Sequence, residues 1–167
     1  SRASMLSGLR PTESRFLRYN ASIHEAGPKT KNIVEYFNER GYQTISNNKI
    51  THLKNDIKTW YEEWHPSDVT WRNYQDPINR ALDKNKKPAA AYEMLDVDDS
   101  VYFDGRIAQK GIEDLHKLKN NDEPFFLALG FMKPHLPFNA PKKYWDLYEQ
   151  SEMPLAPNQY HPDNRCR

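Results

Sequence analysis

Three shortages limit what this chain can be. It has one cysteine, Cys166, in 167 residues, which excludes an internal disulfide framework and a cysteine-rich zinc site. Its longest strongly apolar run, 125–132, has eight residues, whereas a membrane-spanning helix needs about 20. Its 24 basic and 23 acidic side chains nearly cancel, so we expect neither nucleic acid nor a membrane as a partner.

The composition nevertheless indicates a folded chain that is rich in loops. Apolar residues make up 37% and aromatic residues 13%, and the net charge is only +1. Disordered chains combine low hydrophobicity with high net charge, which is not the case here. The 12 prolines predict many loops. The sequence starts without Met, and its last residues close no recognisable element, so we expect an internal piece of a longer chain.

Hydrophobic periodicity and capping residues predict alternating helices and strands, the order of an α/β fold. The predicted helices cover 4–9, 30–40, 102–119 and 141–148, and the predicted strands cover 42–46 and 125–130. The second strand is apolar throughout, as in a strand that is buried on both faces. Residues 47–100 show no regular pattern. Within them we expect 53–95 to form a long loop excursion, and loops of that size are often functional.

Three polar segments lie where α/β proteins usually hold their sites, at a helix start or just beyond a strand. These segments are 1–8, 47–52 and 132–138. Together they supply one guanidinium, two ammonium groups and two imidazoles, from Arg2, Lys49, Lys133, His52 and His135. This set suits an anion with several oxygens, because cations bind the charge and histidines move protons.

Each of these residues also has an ordinary structural interpretation. A single Arg or Lys is more often a solvated surface charge than a ligand. His52 taken alone is more often a loop histidine than a catalyst. His135 is evenly balanced between structure and function, because it lies between Pro134 and Pro137 directly after a predicted buried strand.

The same segments resemble the sulfatase family. Residues 1–8, Ser-Arg-Ala-Ser-Met-Leu-Ser-Gly, match the first sulfatase signature from its serine onward. Residues 41–52 are similar to the second signature, and 124–145 resemble the iduronate-2-sulfatase-like subgroup. The sequence departs from the family pattern where Asn48 replaces the usual Gly, Thr51 replaces a bulky residue and Ser7 replaces the more frequent Thr.

This resemblance implies an alkaline-phosphatase-like α/β fold, here partial, with helices packed on a central, mostly parallel or mixed sheet. Residues 1–167 would be part of the N-terminal catalytic domain. The full enzyme would use calcium and a formylglycine nucleophile made from a residue just upstream of Ser1. The family's metal ligands would also lie outside these residues, so we assign no metal ligand within the chain and expect the chain alone to be inactive.

The resemblance also implies a role for each candidate catalytic residue. Arg2 would stabilise the hydrated formylglycine, and Lys49 would contact the sulfate and the nucleophile. His52 would take the proton that triggers sulfate release, and His135 would assist the departing alcohol. These four side chains are expected to converge on one pocket.

The implied substrate is a sulfated carbohydrate, with Lys133 and Trp64 as candidate substrate-binding residues. Trp60, Trp64 and Trp71 cluster in the 53–95 segment, and aromatic faces stack on sugars, although such residues also anchor loops. Two other functions stay open: a phosphate or phosphonate monoester hydrolase of the same superfamily, and an inactive relative that binds glycans. By resemblance the protein is periplasmic, secreted or lysosomal, and its oligomeric state is unknown.

Overall fold

The computed structural model describes residues 2–53 and 56–160, so Ser1 and Cys166 lie outside the described residues. The elements in chain order are α1 (Arg2–Ser7), α2 (Ile33–Asn38), β1 (Gln43–Asn48), β2 (Glu62–Trp64), α3 (Pro77–Lys84), β3 (Tyr92–Leu95), α4 (Phe103–Leu118), β4 (Phe125–Gly130), β5 (Phe138–Pro141) and α5 (Lys142–Trp145). Short 3-10 turns cover Ile23–Ala26, Asp99–Val101 and Gln150–Glu152. None of the described helices has the length and apolar character needed to cross a membrane.

The described strands form two parallel sheets. In the first sheet β1 lies between β2 and β4, and it pairs with β4 along its whole length, from Gln43 opposite Phe125 to Asn48 opposite Gly130. The second sheet pairs β3 with β5. Helix α4 packs against β1 and β4. The main apolar cluster includes residues of α1, the first 3-10 turn and α2. This arrangement confirms the α/β prediction.

All four predicted helices are present: the first is shifted to Arg2–Ser7, and the other three are shorter than predicted. A capping group fixes the start of α2. The Asn32 Oδ1 atom accepts hydrogen bonds from the backbone N–H groups of Val34 (3.0 Å) and Glu35 (3.1 Å). The Glu35 carboxylate in turn accepts one from the Asn32 N–H at 3.1 Å. This reciprocal pair is a capping box, and it makes α2 begin at Ile33. Gly41, with φ of +75°, follows the end of α2 in the left-handed region that favours glycine.

A short 3-10 turn precedes α4. Asp98 caps the 3-10 turn Asp99–Val101, and α4 itself begins at Phe103. The turn and the helix pack so closely that a Cβ on Gly105 would lie 1.8 Å from the Asp99 carbonyl oxygen. A side chain at Gly105 is therefore excluded by backbone.

The expectation of an uninterrupted loop over 53–95 is wrong for the described part of that segment, which contains β2, α3 and β3. A buried carboxylate, Glu93, organises it. This carboxylate accepts hydrogen bonds from the N–H groups of Gln75 (2.7 Å) and Asp76 (2.9 Å) and from the Tyr102 hydroxyl (2.9 Å). Burial and this contact raise the pKa of Tyr102 above its ordinary value, so its hydroxyl stays a proton donor.

Burial in β4 and α4 also departs from the sequence prediction. In β4, Phe125 and Leu129 remain 38% and 37% exposed, because β4 lies at the edge of the described sheet. In α4, the apolar residues Ile112 and Leu115 are exposed. The helix instead buries Lys110 and Asp114, which form an ion pair.

Candidate functional site

The site is built around the tight turn that ends β1. Asn48 has φ of +69°, and Asn is among the few residues other than glycine that adopt this conformation readily. Its Nδ2 atom donates to the Gly130 carbonyl at 2.8 Å. A Cβ on Gly130 would lie 2.3 Å from the Lys49 carbonyl group. The turn therefore depends on Asn48 in one strand and on a glycine in the next, and both hold the backbone of Lys49.

Arg2 connects α1 to the same turn. Its guanidinium donates to the carbonyl of Lys49 and, at 3.2 Å, to the carbonyl of Ile50. One guanidinium nitrogen, Nη1, thus holds two successive carbonyls of the turn. Arg2 acts on the backbone of Lys49 and brings a positive charge close to its ammonium.

The electrostatics of the turn lower the pKa values of its two basic side chains, Lys49 and His52. Burial, and then the nearby Arg2 charge, lower the pKa of Lys49. Burial also lowers the pKa of His52, and the positive charges of Lys49, Arg2 and His135 lower it further. His52 itself is exposed, and its ring meets the edge of Tyr19 at 5.4 Å between centroids. A neutral imidazole can accept a proton.

His135 lies in the loop 131–137 that follows β4, and α4 fixes this loop. The Asp104 carboxylate accepts hydrogen bonds from the N–H groups of Met132 and Lys133, both at 2.9 Å. The His135 N–H donates to the Met132 carbonyl at 2.9 Å. The His135 ring packs edge-on against Trp71, with 4.6 Å between centroids. The peptide bonds before Pro134 and Pro137 are cis.

Lys49 and His135 line the same cavity, which has a volume of about 500 Å³. The polar lining residues include Ser46, Asn48, Glu63 and His65, and the aromatic ones are Trp60, Trp71 and Phe103. Arg2 holds the backbone of Lys49 and does not line the cavity itself. His52 also lies outside the lining, but the charges of Lys49 and His135 reach it. The structure thus brings the four predicted catalytic residues into one region.

Lys133 and Trp64, predicted to bind substrate, do not line this cavity. The Lys133 ammonium donates to the Pro137 carbonyl, and Lys133 lines a neighbouring cavity of about 280 Å³. Burial lowers its pKa, and the Asp104 charge partly opposes this. The Pro137 carbonyl of its own loop holds the Lys133 ammonium away from the larger cavity, and a role of Lys133 in substrate binding stays a prediction.

Trp64 lies on the other face of the sheet. It pairs in register with Asn47, while Glu63 pairs with Ser46. Paired residues point to the same face, and successive residues alternate between faces. Ser46 and Glu63 line the cavity, whereas Asn47 donates to Asp114 of α4 at 2.7 Å. Trp64 therefore shares the face of α4, and Trp60 and Trp71 are the tryptophans at the cavity.

Glu63 and His65 are cavity residues that sequence analysis missed. The His65 Nε2 atom lies 3.1 Å from a Glu63 carboxylate oxygen, and Nδ1 lies 3.5 Å from the Asn48 Oδ1 atom. The available signal was their spacing of two residues, because residues i and i+2 of an extended segment point to one face, and His65 directly follows β2. A three-residue strand that is mostly exposed gives too short a pattern to detect.

A buried polar network supports the turn from the α4 side. Lys110 pairs with Asp114 and, at 3.2 Å, with Glu62 of β2. Asp114 also accepts the 2.7 Å hydrogen bond from Asn47 of β1. These contacts tie α4 to two strands just before Asn48 and Lys49. Within residues 2–53 and 56–160, no three His, Cys, Asp or Glu side chains come together as a metal-binding group.

Comparison with known proteins identifies the family. The sulfatase family model matches residues 1–166. Human iduronate 2-sulfatase is 30% identical over 171 residues, covering 98% of this chain and 31% of the relative. Choline-sulfatase of Rhizobium meliloti is 27% identical, covering 91% and 32%, and a sulfatase of Formosa agariphila is 25% identical, covering 95% and 34%.

The chain belongs to the sulfatase family, whose fold is alkaline-phosphatase-like, and the parallel sheets and helices described above are a part of that fold. The chain spans about a third of the length of the curated relatives it matches.

Proposed function

We propose that this chain carries part of the active site of a sulfatase that hydrolyses sulfate esters of a sulfated carbohydrate. The proposal rests on one observation: Lys49 and His135 line the same cavity, and the charges of both residues act on His52. Membership of the sulfatase family supports the reaction. The periplasmic, secreted or lysosomal compartment belongs to the same proposal.

Lys49 binds the sulfate. A sulfate ester carries its charge on oxygens that do not bridge to the sugar, and a fixed ammonium stabilises that charge as the S–O bond breaks. The turn holds Lys49 through the two Arg2 hydrogen bonds and through the contact of Asn48 with Gly130. The backbone that carries the cation is thus held in place before the substrate arrives.

The two histidines move protons in opposite directions. His135 gives a proton to the bridging oxygen as the S–O bond to the sugar breaks, so the sugar leaves as a neutral alcohol. His52 accepts a proton in the step that frees the sulfate, and its lowered pKa keeps it neutral for that role. The complete reaction consumes one water and yields an alcohol, sulfate and a proton.

Formylglycine, when present, supplies the oxygen that attacks sulfur. The donor groups of Arg2 and Lys49 suit an anionic neighbour of that kind, because both are cationic and lie at one turn. The calcium that the family resemblance implies would be held by residues of the full enzyme that lie outside this chain. No step of this proposal therefore passes through calcium.

The test compares hydrolysis of 4-nitrophenyl sulfate and 4-nitrophenyl phosphate by the full-length protein. We expect sulfate release, and Lys49→Met should lower kcat/KM by about 100-fold or more, as loss of one preorganised charge-stabilising group does. Lys117→Met, at an exposed position in α4, is the matched control.

Two results would favour the alternatives. Faster release of phosphate than of sulfate indicates a phosphate monoester hydrolase. Binding of a sulfated glycan without release of either anion indicates an inactive, glycan-binding relative.

A further inference from the structure

One wall of the cavity carries polar groups that the proposed reaction does not use. Ser46 is 1% exposed, it lines the cavity, and its hydroxyl oxygen has no hydrogen-bond partner among the described residues. Glu63, opposite Ser46 in the register of β1 and β2, lines the same wall. His65 bridges Glu63 at 3.1 Å and Asn48 at 3.5 Å. A buried hydroxyl beside a carboxylate offers sites for ligand hydroxyls.

Aromatic side chains line the same cavity. Trp71 lies against the ring of His135, and Trp60 also lines the cavity. An apolar sugar face packs on rings of this kind, while its hydroxyls bond to neighbouring polar groups. A sugar whose bridging oxygen lies near His135 would therefore have Trp71 beside it and the Ser46–Glu63 wall within the same cavity.

The charges of the lining favour a substrate with a single anionic group. Lys49 is the one Lys or Arg in the lining that the structure describes, and the sulfate occupies it. The Lys133 ammonium donates to the Pro137 carbonyl and does not line this cavity, and the Arg2 guanidinium is bonded to the carbonyls of the turn. Glu63 is acidic, and its pair with His65 brings no net positive charge in either protonation state of the imidazole. Among the described lining residues, the sulfate occupies Lys49 and the bridging oxygen takes the His135 proton, so a second anion would meet the Glu63 carboxylate.

From this wall we propose that the sulfated ring is a neutral, hydroxylated sugar and that Glu63 excludes uronic acids. Glu63 binds sugar hydroxyls through its carboxylate and repels the carboxylate of a uronate. This inference rests on the proposed sulfatase function and narrows its substrate class.

The test measures kcat/KM of the full-length protein on three probes: 4-nitrophenyl sulfate, a 2-sulfated hexoside and the matching 2-sulfated hexuronoside. We expect the wild type to prefer the neutral hexoside. Glu63→Gln should lower the ratio of hexoside to hexuronoside kcat/KM by about tenfold, because it removes the repelling charge.

Glu62→Gln is the matched control. Glu62 is the preceding carboxylate of the same strand, but it pairs with Lys110 on the α4 face, so its substitution should leave the ratio unchanged. Thermal unfolding of both variants checks that the fold is retained.

The outcomes separate the two claims. A wild type that cleaves 4-nitrophenyl sulfate but prefers the hexuronoside overturns this inference alone, as does a Glu63→Gln variant whose ratio equals that of Glu62→Gln. A wild type that cleaves none of the three sulfate esters overturns the proposed function, and this inference with it.

Discussion

Strands β1 and β4 pair along their whole length, yet the polar one is the more deeply buried. In β1, Thr44, Ser46 and Asn47 are at most 1% exposed. In β4, whose sequence is apolar, Phe125 and Leu129 are more than a third exposed. Position in the sheet decides this, because β1 is central and β4 lies at the edge of the described sheet.

Burial of a polar side chain is costly unless it is hydrogen-bonded, and three polar side chains of β1 have partners. The Thr44 hydroxyl donates to the Asn38 side chain at 2.7 Å, and the Asn47 amide donates to Asp114 at 2.7 Å. Asn48 donates to Gly130. Each of these bonds ties β1 to a different element, so the polar strand is fixed from several sides where it delivers Lys49. Strand β1 therefore positions the turn that carries Lys49, whereas β4 supplies apolar packing.

The largest effect should come from breaking the buried network behind β1. Asp114→Ala leaves the Lys110 charge with only Glu62, and we expect a loss of about 3 kcal/mol in the free energy of unfolding. Lys142 and Asp146 form the same i, i+4 pair on an exposed surface, so Asp146→Ala should cost about 0.5 kcal/mol or less. Urea unfolding of the full-length protein measures both. Equal losses would mean that the Lys110–Asp114 pair does not support the sheet.

The next comparison is between two glycines: Gly130, which follows Leu129 in β4, and Gly111 of α4, which packs against the Leu129 side chain. A Cβ on Gly130 would meet the Lys49 backbone at 2.3 Å, whereas a Cβ on Gly111 would meet the end of the Leu129 side chain at 2.8 Å. Backbone cannot move aside, so Gly130→Ala should destabilise by about 1–3 kcal/mol and lower sulfatase activity by displacing Lys49.

Gly111→Ala is its matched control. The Leu129 side chain is partly exposed and can shift, so the steric cost is small. Alanine also gains about 1 kcal/mol in helix propensity, which offsets that cost. We therefore expect the free energy of unfolding to change little. Thermal melts and 4-nitrophenyl sulfate turnover check both variants. An innocuous Gly130→Ala would contradict the tight crossing of β1 and β4.

The Asp104 carboxylate holds the loop after β4, whereas Arg2 and Asn48 hold the turn after β1. Asp104→Asn replaces one carboxylate oxygen with an N–H group, so one of the Met132 and Lys133 amides loses its acceptor. We expect exchange of that amide with solvent deuterium to accelerate about tenfold, the equivalent of one modest hydrogen bond. Asp122→Asn, at an exposed position just before β4, should leave both amides unchanged. Unaltered exchange in Asp104→Asn would show that the loop is held by other contacts.

The smallest effect is electrostatic and concerns the turn after β1. Lys49→Met removes one of the charges that lower the pKa of His52, so that pKa should rise toward its ordinary value of about 6.5. Burial remains, so the return is incomplete. In the wild type, His52 of the unfolded chain binds a proton at a higher pH than His52 of the folded chain, whose pKa is lowered. The contribution of His52 to stability is therefore lost as the pH falls below the ordinary histidine pKa and through the lowered one. NMR titration of the His52 ring measures the shift, and a fall in its pKa would refute the account. Lys117→Met should leave it unchanged.

The sequence was sufficient for the parts of the structure that depend on local signals. The α/β order, the four predicted helices and the two predicted strands are confirmed, with shifted ends. The burial of Lys110 and Asp114 could not be predicted, because each charge is stable in the interior only when it is paired with the other. The face of Trp64 depends on the register of a three-residue strand, which no local pattern encodes. The convergence of Lys49 and His135 followed from their places after two strands that prove to be parallel neighbours.

The central claim is tested most directly by how His135→Asn responds to the leaving group. A sugar alcohol needs a proton to depart, whereas nitrophenolate leaves readily without one. In the full-length protein, His135→Asn should therefore lower kcat/KM for a sugar sulfate by about 100-fold or more and for 4-nitrophenyl sulfate by far less, while His116→Asn, at an exposed position in α4, changes neither. Equal losses on both substrates, or no loss on the sugar sulfate, would contradict the placement of His135 at the bridging oxygen.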